Sequence, residues 1–283
     1  MIESNGPSDR STETPPFLKW AGGKRWLVHR IRKLVPAIES VSGTYFEPFL
    51  GSGAMFFSLR PAKAVLNDLN TELINVYRYI KKEPDALNRL LRRYDRHHCS
   101  ELYYRTRALV PRTQLRAAAR FVYLNRTCWN GLYRVNRNGQ FNVPVGTKVN
   151  VVLPTDDFAK IGRLLKHVSL HSTDFSEIVE RAGRGDLVFA DPPYTVNHNL
   201  NGFLKYNERL FSWEDQERLH AAALGAIKRG AQVIVSNADH HSIRKLYSEK
   251  QFELHTVERL SKISGSNVGR KVITEVVITS SNL

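Results

Sequence analysis

Cysteine is nearly absent: Cys99 and Cys128 are the only two in 283 residues, and no Cys-x-x-Cys spacing occurs. That excludes a disulfide framework and a thiolate-rich metal site, and it fits a reducing cytoplasm. His97, His98 and Cys99 are consecutive, so on a helix they point in different directions, and no second ligand cluster follows. They read as surface and packing residues, and no metal is expected. Long apolar runs are missing too. Nothing approaches the roughly 20 residues needed to cross a bilayer, and the N-terminus lacks the charged-then-apolar order of a signal peptide, so a soluble protein without a membrane partner is expected. Acidic charge is in short supply: 27 Asp and Glu face 42 Lys and Arg, a formal charge of +15. An excess of this size suggests a polyanionic partner such as nucleic acid without identifying the polymer or the chemistry.

What is present is organised around Leu187 to Thr195. Leu187-Val188-Phe189-Ala190 is continuously apolar, as a strand covered on both faces should be. Asp191-Pro192-Pro193-Tyr194 then forces the chain out of the sheet, because proline cannot continue the ladder. Ligand sites in open α/β sheets lie beyond such strand ends. The loop suits transfer of an electrophile to an exocyclic amino group, a poor nucleophile whose lone pair is delocalised into the base. Asp191 and the Pro192 carbonyl can accept its N–H bonds, the two prolines remove competing backbone donors, and Tyr194 offers a face for an extruded base. Taken alone, the same four residues read equally well as a strand-ending turn.

Residues 1–16 are rich in Ser, Thr, Glu and Pro and form an expected disordered leader. From Phe17, Lys19-Trp20-Ala21-Gly22-Gly23-Lys24 joins a glycine pair to aromatic and basic residues before a helix that ends ahead of Pro36. The pair lacks the spacing and the Lys-Ser/Thr ending of a phosphate loop, so a carboxylate-bearing cofactor near Lys24 is the stronger reading. Tyr45 to Phe57 reads as strand, glycine turn at Gly51-Ser52-Gly53, and helix start. A second strand, Ala64 to Asn67, delivers Asp68, placed where a ribose diol is gripped in such folds, or equally where the following helix from Asn70 to Lys81 would be capped.

Residues 71–128 read as helices, with Leu115, Ala118, Ala119, Val122 and Tyr123 at helical spacing. Most of the flanking Arg112, Arg116, Arg120 and Arg126 read as a solvated face, with some meeting phosphates. Between Trp129 and Pro144, Asn138-Gly139 signals a hairpin whose two arms carry Arg and Asn. A two-stranded ribbon fits the major groove, and Arg and Asn are the side chains that pair bidentately with guanine and adenine edges. Trp129 could wedge between bases or sit in a core. The α/β alternation resumes with a helix from Thr155 to about Leu165, a strand over 168–172 and Asp174-Phe175 opening a helix, where Asp174 is an N-cap that could also accept from an adenine amino group. A polar stretch over 196–209, expected to move without ligand, precedes a helix over 213–229, a strand over 232–236, a helix over 241–248 and closing strands near 252–260 and 271–278. The basic loop 261–271 is a plausible phosphate contact.

Together these residues resemble one family, the Dam-type (class alpha, D12) DNA adenine-N6 methyltransferases that use S-adenosylmethionine. The resemblance runs from Phe17 almost to the C-terminus. It rests on the motifs at 19–24, 46–53, 67–68, 130–136, 141–144 and 191–194. It implies a doubly wound Rossmann-like α/β sheet, with the catalytic domain over 17–70 and 150–283 and a helical and hairpin target-recognition insertion over 71–149. The resemblance implies that Trp20, Lys24, Glu47, Phe49, Gly51, Gly53, Asp68, Asp174, Phe175 and Asp191 contact the cofactor. Asp191, Pro192, Pro193 and Tyr194 would carry catalysis. Lys19, Trp129, Asn130, Leu132, Arg134, Asn136 and Pro144 would meet double-stranded DNA, at a GATC site. The family often has Tyr where Trp129 stands, and 195–211 matches its best-known members poorly. RNA methylation and a DNA-binding protein with a degenerate fold are the rival functions. A solitary methylase and the partner of a restriction endonuclease acting separately both remain open.

Overall fold

The computed structural model describes residues 14–35, 38, 41–136, 138–195, 211–260 and 272–281. The expected leader therefore lies outside the described residues as far as residue 13, as do the polar stretch 196–209 and the basic loop 261–271. The chain divides into two compact units. The first comprises Met1–Val28, Gly51–Arg60 and Thr71–Lys166; the second comprises His29–Leu50, Pro61–Asn70 and His167–Leu283. The expected insertion 71–149 falls inside the first unit.

The second unit is built on a seven-stranded sheet. Its strands are β1 (Tyr45–Glu47), β2 (Ala64–Asn67), β3 (Val168–His171), β4 (Leu187–Ala190), β5 (Gln232–Ala238), β6 (Phe252–Leu260) and β7 (Val272–Ser280). The order is β3-β2-β1-β4-β5-β7-β6, with β7 antiparallel to both neighbours and the other pairings parallel. β1, β2 and β4 are buried at every position, which is why Tyr45-Phe46, Ala64-Val65-Leu66 and Leu187-Val188-Phe189-Ala190 are apolar without alternation, with Glu47 and Asn67 closing the first two strands. From β1 the chain winds outward to β2 and β3, then returns to place β4 on the other side of β1. The carboxyl ends of β1 and β4 thus flank the switch point of the sheet, the place where open α/β sheets bind ligands.

One face of this sheet carries Phe46, Val65, Val188, Val233, Val235, Val276 and Ile278 into a core with Phe175 and Ile178 of α8 (Phe175–Val179), Leu219 and Ala223 of α9 (Trp213–Lys228) and Ile243 of α10 (His241–Leu246). Ser212 begins α9 with a capping box: its side chain accepts from Asp215 N while the Asp215 carboxylate accepts from Ser212 N.

The first unit is helical: α2 (Ala54–Leu59), α3 (Thr71–Lys82), α4 (Pro84–His97), α5 (Ser100–Ala108), α6 (Gln114–Thr127) and α7 (Phe158–Leu164). The remaining helix, α1 (Arg25–Leu34), crosses from the first unit into the second. α6 packs against α3, α4 and α5. Its Ala118 and Ala119 are buried beside Phe121, Val122 and Leu124, so the Ala-rich stretch is a core stripe. Thr113 caps α6 by accepting from Arg116 N. A methyl group added at Gly162 would stand 2.8 Å from Ile80 O, so glycine is what allows α7 to lie against α3. No described helix is long and apolar enough to cross a membrane.

Candidate active site and nucleic-acid surface

The second unit collects acidic residues at the carboxyl edge of its parallel strands. Glu47 ends β1, Asp68 follows β2, Asp174 stands three residues beyond β3, and Asp191 follows β4. Asn67, 1 % exposed, organises this edge. Its Nδ2 donates to Pro48 O at 3.0 Å and to Thr173 O at 3.1 Å, while its Oδ1 accepts from Thr173 N at 3.0 Å. One amide thus sets the loops after β1 and β3 on either side of Asp68. Asp68 Oδ1 accepts from Asn70 N at 3.0 Å, a turn ahead of α3. Phe49 packs on Phe175 at 5.3 Å and on Phe211 at 5.4 Å, giving the edge an aromatic floor.

Asp174 has two local duties. Its Oδ1 caps α8 by accepting from Ser176 N and Ser176 Oγ, and it accepts from Arg218 Nη2 at 2.7 Å. Burial raises its pKa, but the Ser176 and Arg218 bonds outweigh that and hold the carboxyl below its ordinary value. The Arg218 guanidinium also lies over the Phe175 ring at 4.9 Å. Glu47 is 2 % exposed and accepts from Tyr45 Oη at 2.8 Å.

The Asp-Pro-Pro-Tyr loop is anchored by side chains that neither its own sequence nor its neighbours announce. Ser236 Oγ, in β5, donates to Asp191 Oδ1 at 2.6 Å. Tyr194 Oη donates to Glu275 Oε2, in β7, at 2.8 Å. Thr195 Oγ1 accepts from Gln216 Nε2 at 3.2 Å, and Gln216 Oε1 accepts in turn from Asn237 Nδ2 at 2.9 Å. Ser236, Asn237 and Gln216 are fully buried. Burial first, then the Asp191 and Glu275 carboxylates, hold the Tyr194 hydroxyl well above the ordinary tyrosine range, so it stays a donor. Pro192 is buried, while Asp191, Pro193 and Tyr194 are half-buried. The arrangement can present a fixed carboxylate, a proline carbonyl and an aromatic face to one ligand.

In the first unit Trp20 stacks on Tyr133 at 5.7 Å and on Phe121 at 6.2 Å. Gly51 has φ +49°, and a methyl group there would stand 2.7 Å from Trp20 Cδ1. Only glycine fits beneath that indole. Gly53, at φ +67°, precedes α2. Lys24 is 6 % exposed, unusual for a lysine and consistent with a local role for its charge.

The expected hairpin reverses at Asn138-Gly139, with Gly139 at φ +72°. Its ladder is shorter than a two-stranded ribbon: Val135 pairs with Phe141 in an isolated bridge, and Asn136 N donates to Gln140 O at 2.8 Å. The pairing is interrupted by Trp129–Gly131, a tight helical turn with Asn130 at φ 55° and Gly131 at φ 66°, and resumes beyond it, where Trp129 N donates to Pro144 O at 2.9 Å and Cys128 bridges Val145. That turn is held from below by Asn125, fully buried, whose Nδ2 donates to Lys19 O and Gly131 O and whose Oδ1 accepts from Lys19 N. Lys19, Trp129, Asn130, Arg134 and Pro144 are exposed, Leu132 and Asn136 half-buried. Trp129 is 53 % exposed, which rules out its reading as a core residue. Arg134 Nε donates to Asn142 Oδ1 at 2.9 Å, so the guanidinium is oriented across the hairpin.

Of the four arginines beside the α6 stripe, Arg112 and Arg116 are exposed as expected, but Arg120 and Arg126 are not a solvated face. Arg126 is 3 % exposed, paired with Asp156 at 2.5 and 2.7 Å and donating to Phe17 O and Val151 O. Arg120 donates to Thr106 O and Arg107 O. A guanidinium's five donors match backbone carbonyls in loops and at helix ends, so these two serve the unit's own structure. His98 Nδ1 bonds Tyr123 Oη at 2.9 Å, and Cys99 caps α5 by accepting from Leu102 N.

The chain matches the family model of D12 class N6 adenine-specific DNA methyltransferases over residues 20–263. It is 37 % identical to the type II methyltransferase M1.LlaDCHI of Lactococcus lactis subsp. cremoris, covering 94 % of this chain and 95 % of that one. It is 31 % identical to the DNA adenine methylase of Escherichia coli K12, over 92 % of this chain and 93 % of that one. A DNA N-6-adenine-methyltransferase of Escherichia phage P1 is 32 % identical over 92 % of this chain and 35 % of its own length.

Proposed function

The chain belongs to the D12 class N6 adenine-specific DNA methyltransferases, and from that premise we propose that it transfers a methyl group from S-adenosylmethionine to N6 of adenine in duplex DNA, at GATC. The observation that carries the chemistry is the anchored loop: Asp191 fixed by Ser236 and Tyr194 fixed by Glu275, at the switch point of the sheet.

The residues of the second unit fit the cofactor by the chemistry of their side chains. A ligand with a ribose diol, amino groups and a positive charge calls for acceptors, and Glu47, Asp68, Asp174 and Asp191 stand in a row at the strand ends with Phe49 and Phe175 as aromatic surface. Asp68 is assigned to the diol, and Asp174 with Phe175 to the adenine. In the first unit, Trp20, Lys24, Gly51 and Gly53 are assigned cofactor contacts, supported by the buried lysine and by the close backbone approach the two glycines allow. When bound, S-adenosylmethionine supplies a methyl group on a cationic sulfur that keeps the bonding electron pair as the group leaves.

The protein's part is to prepare the amine. Asp191 and the Pro192 carbonyl accept the two N–H bonds, drawing density onto N6 and favouring a tetrahedral nitrogen, and Tyr194 stacks the extruded base so that N6 stays in line. Residues 71–149 recognise the target, with Arg134 and Asn136 at base edges and Lys19, Trp129, Asn130, Leu132 and Pro144 around them. The GATC assignment rests on the likeness over 129–144. The type II name of the Lactococcus relative supports pairing with a restriction endonuclease that acts separately. Labelled methyl transfer to GATC duplexes tests the proposal. Asp191→Ala should abolish transfer while cofactor binding survives, because the lost interaction is strongest in the transition state. Near wild-type turnover by that variant would sink the mechanism.

A further inference from the structure

Glu275 lies in β7 between Thr274 and Val276 and is 2 % exposed. Across the sheet it faces Ala238 on β5 and Val257 on β6, whose side chains cannot bond a carboxylate. A carboxylate in such a place costs free energy unless it is hydrogen-bonded. Its Oε2 accepts from Tyr194 Oη at 2.8 Å. The donor is the last residue of the Asp-Pro-Pro-Tyr loop, half-buried beyond the end of β4. A buried acid from the antiparallel strand, 81 residues later in the sequence, therefore reaches the loop that ends a parallel strand.

We infer that Glu275 is a positioning residue for methyl transfer: by holding the Tyr194 hydroxyl it fixes the position of the ring on which the target base stacks. The inference rests on the reading of Tyr194 as that stacking face. A tyrosine ring swings about Cα–Cβ, and its hydroxyl, at the far end, moves furthest in that swing. A bond there holds the ring in place, while rotation about Cβ–Cγ, which leaves the hydroxyl oxygen on its axis, is restrained by packing. Because the acceptor is a carboxylate, the bond is charge-assisted and short. Retention of the proton on Tyr194 keeps that donor in place across the neutral range. Tilt of the ring would carry N6 out of line with the methyl group, an error that slows the chemical step more than it weakens DNA binding.

The test is steady-state methylation of a GATC duplex by Glu275→Ala, Glu275→Gln, Tyr194→Phe and the Ala/Phe double variant, with kcat normalised to protein that binds S-adenosylhomocysteine. Tyr194→Ala serves as reference. Glu275→Ala and Tyr194→Phe should each lower kcat about tenfold and change KM for DNA less than about twofold. The double variant should be no slower than either single one, since both remove the same bond. Glu275→Gln, which keeps an acceptor, should recover most of the rate. If Tyr194→Ala is inactive while Glu275→Ala and Tyr194→Phe keep wild-type kcat, the positioning role is wrong and the loop's function stands. If Tyr194→Ala itself keeps wild-type kcat, the stacking role fails and this inference with it. Should Glu275→Ala not fold, Tyr194→Phe removes the bond without touching β7 and decides by the same criterion.

Discussion

Ser236 donates to Asp191 Oδ1 across 2.6 Å at the point where the β4·β5 ladder stops. Ala190 is in register with Val235, so the next residue on each strand, Asp191 and Ser236, continues the pairing through side chains after prolines have ended it through the backbone. One oxygen of the carboxylate is thereby tied, and the rotation of the group is fixed before substrate arrives. Hydrogen bonds to charged groups are worth about 1.5–3 kcal/mol. Ser236→Ala should accordingly cut kcat by at least about tenfold while affinity for S-adenosylhomocysteine, measured by calorimetry, changes little. An unchanged kcat would show that Asp191 needs no anchor.

Two tyrosine–glutamate pairs, Tyr45 with Glu47 and Tyr194 with Glu275, bury their hydroxyls against carboxylates in the second unit. Burial first, and then the carboxylates, raise both tyrosine pKa values well above the ordinary one. A group whose folded pKa is raised contributes stability that is complete below its unfolded pKa and is lost as pH rises toward the folded value. Stability should hold through neutrality and fall from about pH 10 upward. Absorbance titration of tyrosinate should show these two groups ionising only with unfolding. Ionisation of every tyrosine near pH 10 in the folded protein would contradict the pairs.

Arg126 and Asp156 form a buried ion pair in the first unit, with side chains 3 % and 4 % exposed. The arginine also satisfies Phe17 O and Val151 O, so its loss strands a carboxylate and two carbonyls together. Breaking such a pair from one side costs about 3–5 kcal/mol. Arg126→Ala should lower stability to urea by that order, and replacing both partners with apolar residues should cost less than the single change. A drop below about 1 kcal/mol would place the arginine among solvated side chains.

Much of the site could be read in the chain because its chemistry is written locally. An apolar run cut off by Asp-Pro-Pro-Tyr can only be a strand end, and Asn67-Asp68 after a second such run is the same signal repeated. What escaped is what the fold brings together from afar. Ser236 and Glu275 sit in ordinary-looking strands, and their partners lie 45 and 81 residues away, so no period or motif marks them. Arg126 and Asn125 were hidden for a different reason: in a helix with a narrow apolar stripe, polar residues at its border look solvated until loops fold over them. The one local hint was Asp156 in a segment with few other acids, a candidate partner for a buried cation. The hairpin was legible in its turn but not in its continuity, because Asn130 at φ 55° and Gly131 at φ 66° interrupt the arm with a tight turn that the apolar pattern does not encode.

Sequence preference should depend on a pair of residues rather than on Arg134 alone. Arg134 is exposed, and its Nε is spent on Asn142 Oδ1 at 2.9 Å, which leaves the two terminal amino groups to meet a ligand as a fork. That is the geometry that grips O6 and N7 of a guanine, worth about 1–3 kcal/mol of discrimination. Arg134→Ala should lose preference at one position of GATC while adenine is still methylated slowly. Asn142→Ala should show a weaker form of the same loss, because the guanidinium keeps its donors but not its orientation. An exposed arginine that meets only phosphate would behave differently: its loss weakens all sequences alike and lowers the salt slope by about one unit. Methylation rates on duplexes carrying each single-base change, measured at several salt concentrations, separate these outcomes. If Arg134→Ala keeps the wild-type order of preference at a uniformly lower rate, its contact is to the backbone and the guanine assignment is lost.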